Sequence, residues 1–295
     1  MIEFFNALRD PDILFLRYAF IAGLLASVSF GIIGTYVVAR RISSIAGAIS
    51  HSVLCGVGVG LYLNTKMGIT WFMPVYGAVI AALLAAVIIG TVGIYASQRE
   101  DTIIAAVWSI GMAVGLLFLS ITPGYTDPMS YLFGNILLIS KNDLWLIFIL
   151  DICVIGLALF YYNKLLAVCF DEEFARTRGI KVEFYYLLLL CLTALTVVLL
   201  MRIVGLILVI ALLTLPVALA GHFARRLAQT MVLSVLLCML FFSTGIGLSY
   251  THNLPSGPVI IVLAGLTYFS VLIGNRILKL FIRRKTTVQK KRTKE

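Results

Sequence analysis

The chain has 295 residues, of which 61% are hydrophobic and only 12% are charged, whereas soluble globular chains are about 45–50% apolar and about 25% charged. One soluble core cannot bury so much apolar surface, so the composition excludes a soluble enzyme, a secreted disulfide scaffold and a coiled coil. It favours an all-α polytopic membrane protein, in which the net charge of +10 reflects basic cytoplasmic loops and not a nucleic-acid partner.

Nine apolar segments, each long enough for a helical membrane span, follow one another along the chain. They cover residues 13–39, 44–63, 71–96, 102–122, 143–162, 182–201, 203–221, 228–250 and 257–282. The sixth and seventh segments nearly touch, which predicts a tight turn at Arg202, and a count of eight spans stays open. The chain then divides into an extracytoplasmic segment 1–12, a membrane domain 13–282 and a basic cytoplasmic tail 283–295.

The distribution of Lys and Arg predicts the orientation of these spans. If nine spans leave the N-terminus outside and the C-terminus inside, 18 of the 23 basic residues lie on the cytoplasmic side. The opposite orientation would put most of them outside. Because cytoplasmic loops are enriched in Lys and Arg, the expected orientation is N-out and C-in.

The second segment is rich in small residues: Gly47, Ser50, Ser52, Gly56, Gly58 and Gly60. Such helices approach their neighbours closely, so this span is expected inside the bundle, in close contact with a second copy of the chain. It also carries His51 and Cys55, which share a helical face because they are four residues apart. Imidazole and thiolate suit a borderline-soft cation such as Zn²⁺. The alternative is a structural histidine that hydrogen-bonds to a neighbouring helix.

Two other ionisable residues are candidates for contact with a cation. Asp151 lies inside the fifth segment, where an ionisable group is costly and is a functional hypothesis by default. It is either a metal or proton ligand or a carboxylate paired with a neighbouring helix. His252 lies in the outer turn 250–258, where it either contacts an incoming cation or is a solvated loop residue.

A short helix is predicted in the inner loop 163–181. Acids come first in this loop, bases later and a glycine last: Asp171, Glu172, Glu173, Arg176, Arg178 and Gly179. That is the charge order of a capped helix. A helix lying on the cytoplasmic face suits the docking of another protein, and a plain connector is the alternative.

Two further features bear on mechanism. The apolar stretch 127–137 is too short to span a membrane and is predicted to be interfacial or re-entrant. The sequence carries no G-x-x-x-x-G-K-[ST] phosphate-binding motif. The energy for any transport must therefore come from an ion gradient or from a partner.

Five motifs occur in order along residues 13–282. They are the pair Arg40-Arg41 with the small-residue run ending in Ser50-His51, then Tyr131-Leu132-Phe133-Gly134-Asn135-Ile136-Leu137, the loop 171–179, Leu215-Pro216-Val217-Ala218, and Leu254-Pro255-Ser256-Gly257-Pro258. Together they resemble the membrane permease of bacterial ATP-binding-cassette (ABC) importers for zinc, manganese and iron. The resemblance implies a type II ABC importer-like fold in the bacterial inner membrane, and a subunit that is not itself an enzyme.

The resemblance also implies partners and residue roles. A second permease copy, a cytoplasmic ATPase, an extracytoplasmic metal-binding protein and membrane lipids are the expected partners. No cofactor is expected to be bound permanently, and the transported divalent cation is zinc or manganese before iron. His51 is expected on the metal path, and one set of loop residues is expected to couple to the ATPase: Asp171, Glu172, Glu173, Ala175 and Gly179.

The sequence departs from the family pattern beside the expected metal ligand. Family members often read Gly-Asp-x-x-x-His near the start of the second span, and here the acid position is Gly47. Cys55 stands where many relatives carry proline. A hard-ion site for manganese is therefore incomplete, and three completions are open: His51 of a second copy, Cys55 or Asp151.

A proton-coupled secondary carrier, or a metal exporter acting without an ATPase, is the alternative function. Such carriers usually contain inverted repeats and a membrane carboxylate in each half. The sequence offers one candidate carboxylate, Asp151, and no convincing internal repeat.

Overall fold

The computed structural model describes residues 4, 7–8, 14–95, 100–123, 134 and 139–292. These described residues form eleven helices, which are 6 to 37 residues long, and they contain no strand. In chain order they are α1 Leu14–Ala39, α2 Ser43–Thr65, α3 Pro74–Tyr95, α4 Glu100–Ile121, α5 Lys141–Phe160, α6 Tyr162–Phe170, α7 Glu172–Thr177, α8 Val182–Val204, α9 Leu206–Gly221, α10 Leu227–His252 and α11 Ser256–Arg292.

The predicted all-α membrane architecture is confirmed. All nine apolar segments are helical, and seven of the helices in the described part of the chain are long and apolar enough to cross a membrane. The stretch Val182–Val198 and the helix α9 are also apolar but shorter. The number of spans and their orientation therefore stay predictions.

The break between the sixth and seventh segments lies at Gly205, so the predicted turn at Arg202 is wrong. Helix α8 continues through Arg202 to Val204, and α9 begins at Leu206. Gly205 has φ 86° and ψ 156°, a conformation that glycine adopts without steric cost because it lacks a Cβ. A charged side chain does not by itself interrupt a helix.

The helices fall into two packing groups. Helix α1 packs mainly against α10, α9 and α5, whereas α2 packs mainly against α3 and α4. Helix α8 contacts both groups. Because Gly23 lies against Phe242 and Gly31 against Val235, α1 and α10 run antiparallel. Helices α1 and α2 are consecutive in sequence but have few contacts with each other.

One end of the bundle, here called the basic end, contains the Arg40–Arg41 turn together with α6 and α7. The sequence predicts one short helix in the loop 163–181, and the structure contains two, since residues 162–170 also form a helix. At the opposite end, the turn after α10 lies near Phe15 and Leu16 and lines a cavity of about 400 Å³.

Some predictions fall on parts of the chain that the structure leaves undescribed. The interfacial segment 127–137 lies outside the described residues except for Gly134, and so does most of the segment 1–12. The division into segment 1–12, domain 13–282 and tail 283–295 stays a prediction.

Candidate functional site

Helix α2 packs backbone to backbone within the chain. A Cβ added at Gly56 would collide with the carbonyl group of Gly77 in α3, and one added at Gly58 would lie 2.6 Å from the carbonyl oxygen of Gly115 in α4. These approaches need residues without side chains. The expected burial of α2 is confirmed, since most of the helix is buried. The expected use of its glycines against a second copy is wrong for Gly56 and Gly58, because α3 and α4 of the same chain occupy their surfaces.

The imidazole of His51 stacks on the indole of Trp108 in α4, with 4.6 Å between ring centroids and 7° between ring planes. The neighbouring Ser52 hydroxyl donates to the carbonyl oxygen of Val107 at 3.2 Å, and Gly111 lets α4 approach Ser52 closely. The α2–α4 contact therefore fixes the plane of the histidine ring.

The nitrogen atoms of His51 lie in the ring plane, so the indole face does not occupy their lone pairs. The Nδ1 atom is buried and has no hydrogen-bond partner among the described residues. A structural histidine that hydrogen-bonds across helices through Nδ1 does not match this arrangement. Stacking on Trp108 holds the ring in place, and Nδ1 still lacks the partner that a buried polar atom normally has.

His51 belongs to a partly open stripe of α2. His51, Cys55 and Val59 are half-buried, whereas most of the residues between them are buried. The partly exposed Trp108 of α4 lies beside this stripe, because its indole stacks on His51. The imidazole and the thiol thus share a face that the single chain leaves partly uncovered.

Asp151 lies elsewhere, between α5 and α1. It is only 4% exposed, and its Oδ1 accepts a hydrogen bond from the Ser29 hydroxyl of α1. Its Oδ2 has no partner among the described residues. Within that same part of the chain no three His, Cys, Asp or Glu side chains are close enough to hold a metal ion together. The structure therefore does not gather His51, Cys55 and Asp151 into one ligand set, and their roles stay predictions.

The short helix predicted from the loop charges is present as α7. The Asp171 carboxylate caps it by accepting from the Phe174 amide at 2.9 Å, and Gly179 follows with φ 72°. Ala175 is fully buried. Glu172 forms an ion pair with Arg40, whereas Glu173 is exposed. The capped helix is thus attached to the bundle on one side and faces outward on the other.

Arg40 makes three contacts at the basic end. Besides the ion pair with Glu172, its Nη1 donates to the carbonyl oxygen of Val168 in α6 at 3.0 Å. Its guanidinium lies 5.2 Å from the ring centroid of Tyr186 in α8. Arg176, near the end of α7, pairs with Glu183 of α8 at 2.8 Å. These ion pairs join α7 to the turn that follows α1 and to α8.

Two large apolar side chains are exposed beside these ion pairs. Phe170, at the end of α6, and Phe174, in α7, are 67% and 50% exposed. The guanidinium of Arg178 lies over the Phe174 ring at 5.2 Å. Exposed aromatic side chains among charged residues are typical of a protein–protein contact.

His252 lies at the end of the bundle remote from α7. It is the last residue of α10, is exposed, and precedes Asn253, which ends the helix in a left-handed conformation with φ 53°. Contact with an incoming cation stays a prediction for this residue.

Sequence reasoning missed three residues that the structure brings into these sites: Trp108, Ser29 and Arg40 in its bridging role. Arg40 had a signal, since it belongs to a basic pair at the end of an apolar segment. The other two had none, because their partners are distant in sequence and in other helices.

Comparison with known proteins adds evidence of a different kind. The family model described as "ABC 3 transport family" matches residues 12–275. A protein of Chlamydia pneumoniae named as a probable metal transport system membrane protein is 41% identical over 269 residues, which cover 90% of this chain and 92% of that protein. The manganese transport system membrane protein MntC of Listeria monocytogenes is 32% identical over 255 residues, covering 86% of this chain and 89% of the relative.

A solved structure has the same fold. PsaBC from Streptococcus pneumoniae, determined in complex with Fab, superposes with a TM-score of 0.80 and 30% sequence identity. The match covers 91% of this chain and 94% of the solved one.

Proposed function

The chain belongs to the ABC 3 transport family, and on that premise we propose that it is the permease subunit of an importer for a divalent metal cation, driven by a separate cytoplasmic ATPase. The names of the Chlamydia and Listeria relatives support metal as the cargo. The observation that carries the proposal is the partly open face of α2, which contains the half-buried His51 and Cys55, with the His51 ring held in place by stacking on Trp108.

The cation is zinc or manganese. A bare divalent ion cannot cross hydrocarbon, so the path must offer ligands that replace part of its water shell. Imidazole and thiolate donors from His51 and Cys55 suit zinc, and Gly47 lacks the oxygen ligand that manganese prefers. The name of the Listeria monocytogenes relative, a manganese transport system membrane protein, favours manganese instead. Both metals therefore belong in the same uptake experiment.

A second copy of the chain completes the path. The single chain offers no group of three metal ligands among its described residues, and His51 and Cys55 are half-buried at its surface. A two-fold related copy would bring a second imidazole and a second thiol to the same place. Four donors would then surround a cation between the two copies.

The ATPase docks at the basic end. Helix α7 is capped by Asp171 and exposes Phe174 beside Phe170. A short rigid helix with an aromatic side chain fits a groove on a partner protein. The predicted coupling residues lie in this helix or at its ends: Asp171, Glu172, Glu173, Ala175 and Gly179.

The alternative, a carrier driven by a proton gradient, has less support. Asp151 is the single buried carboxylate among the described residues, whereas secondary carriers of the inverted-repeat type usually place acidic groups in both halves. Asp151 also lies in a different packing group from His51.

One experiment separates the two functions. The chain is reconstituted in liposomes with the ATPase and the metal-binding protein of the same transporter, and uptake of radioactive zinc and manganese is measured with ATP sealed inside. We expect uptake to require both ATP and the ATPase, and to persist when a protonophore dissipates the proton gradient. Uptake without the ATPase that the protonophore abolishes would establish the secondary carrier instead.

A further inference from the structure

Arg40 occupies the turn of three residues between α1 and α2. It directly follows α1, and Arg41 and Ile42 lead into α2 at Ser43. Arg41 has φ 63°, and the Ile42 amide donates to the Val37 carbonyl oxygen at 3.0 Å. The chain therefore reverses direction here in a compact turn. Any displacement of the Arg40 side chain acts on the start of α2.

The guanidinium of Arg40 is largely enclosed. Its side chain is 19% exposed, against 39% for its partner Glu172. Nearby Cys169 is buried, and burial raises the pKa of its thiol to about 12, although the charge of Arg40 acts in the opposite direction. An enclosed charge is stable only while its partners stay in place. The turn and the first residue of α7 are therefore bound to move together.

The partners of Arg40 come from three different elements: Glu172 of α7, Val168 of α6 and Tyr186 of α8. Arginine suits this position because its planar fork binds a carboxylate and a carbonyl group at once while its face covers an aromatic ring. A lysine ammonium cannot do all three.

We infer that Arg40 is a positioning residue that transmits movement of the docking helix α7 to α2, the helix that carries His51. The inference rests on the proposed function, because it treats α7 as the ATPase contact. His51 lies eight residues beyond the start of α2, which corresponds to about 12 Å along the helix axis. A shift of α7 at Glu172 therefore reaches the metal path through one ion pair and two helical turns.

Helix α7 has a second attachment that acts differently. Arg176 pairs with Glu183, near the start of α8, and both side chains are more exposed than Arg40. Exposed ion pairs are weak, because water screens both charges. The Arg40 contact is thus the stronger constraint and the one that leads to α2.

The test uses the complete transporter in liposomes, with permease variants Arg40→Gln, Glu172→Gln and the double variant. Asp101→Asn is the control, because Asp101 is an exposed carboxylate at the start of α4 and lies outside α7. Three quantities are measured for each variant: cation uptake, ATP hydrolysis, and the amount of ATPase that copurifies with the permease. The ratio of cations imported to ATP hydrolysed reports coupling, and a merely structural role would not change it.

We expect Arg40→Gln and Glu172→Gln each to lower this ratio at least about fivefold, with normal copurification of the ATPase. The double variant should be no worse than the worse single one, because the two residues act through one contact. Arg40→Lys should recover part of the ratio, since it keeps the charge opposite Glu172. Asp101→Asn should behave as the wild type.

Two results would contradict the inference, and a third would contradict the proposed function. If Glu172→Gln imports with the wild-type ratio, the transmission role is wrong, whatever happens to Arg40 variants that fail to reach the membrane. If Glu172→Gln loses the ATPase itself, Glu172 belongs to the docking surface and the inference is also wrong. If the wild-type complex neither binds an ATPase nor imports, the proposed function has failed and not this inference alone.

Discussion

The imidazole of His51 is held by stacking on the indole face of Trp108 and not by a hydrogen bond through Nδ1. Stacking on Trp108 fixes the ring plane, while Nδ1 keeps its bonding capacity. On the proposed metal path, a cation would meet an imidazole whose ring plane is already fixed. Orientation of this kind lowers the cost of forming a metal–ligand contact.

We predict that His51→Ala lowers metal uptake at least tenfold, or about 1.4 kcal/mol, with an unchanged amount of protein in the membrane. Trp108→Phe should keep most of the uptake because a ring face remains, whereas Trp108→Ala should lower it. Uptake of radioactive metal by cells lacking other importers, together with immunoblots of their membranes, measures both quantities. Trp145→Ala is the control, since Trp145 is exposed on a different helix.

Full uptake by His51→Ala would show that the histidine is structural, and the path would then have to be sought near Asp151. An equal loss of metal uptake in Trp108→Ala and Trp145→Ala would mean that removal of any large aromatic side chain harms the protein. In that case the stacking contact would have no special part in transport.

The sequence could predict local features of these residues and could not predict their distant contacts. His51 was identifiable as an ionisable group in an apolar segment, and Asp171 as a helix cap, because both signals lie within a few residues. Ser29 and Asp151 are 122 residues apart, and Arg40 and Val168 are 128 apart. Such pairs are set by helix packing, which the hydrophobic pattern of one helix does not encode.

At the scale of whole helices, α2 is interlocked with α3 and α4 through glycines. We predict that Gly56→Ala lowers the thermal stability of the detergent-purified protein, because the new methyl group has no space beside Gly77. Overpacking of this kind typically costs about 1–3 kcal/mol. The melting temperature, followed by loss of the monodisperse peak on size-exclusion chromatography, measures the effect.

Gly47→Ala is the matched control in the same helix, since a Cβ there would meet nothing within 4 Å. Its melting temperature should be unchanged or higher, because alanine is the better helix former by about 1 kcal/mol. Equal destabilisation by both changes would contradict the interlocked packing and would point to a general need for glycine in α2.

The existence and order of the helices followed from the hydrophobic pattern, whereas their boundaries and partners did not. All nine apolar segments are helical, since length and composition determine that outcome. The charge of Arg202 predicts a break three residues before the observed one, which lies at Gly205 because a glycine permits the positive φ of this junction. The glycines of α2 correctly predicted close packing, but a small residue does not specify which neighbour approaches it.

At the scale of the whole molecule, the alternating directions of the helices place Lys66 and Arg178 at opposite ends. We predict that Lys66→Cys is modified by a membrane-impermeant thiol reagent in intact cells, whereas Arg178→Cys is modified only after permeabilisation. Both positions are exposed, so accessibility does not limit either reaction. The unsubstituted protein is the control for its five native cysteines, and modification of both positions in intact cells would rule out the N-out and C-in orientation.

The division of α1 and α2 between two packing groups has a mechanical consequence. The group of α2, α3 and α4 is stiff, because backbones in contact at Gly56 and Gly77 leave no room for sliding. The group around α1 combines large side chains such as Phe30 and Phe242 with close backbone approaches at Gly31 and Gly34. A three-residue turn links α1 to α2, while α8 contacts both groups, so a force at the turn is resisted by the contacts of α8 as well as by the turn itself. Within the group of α2, the stiffness resides in residues that have no side chain at all.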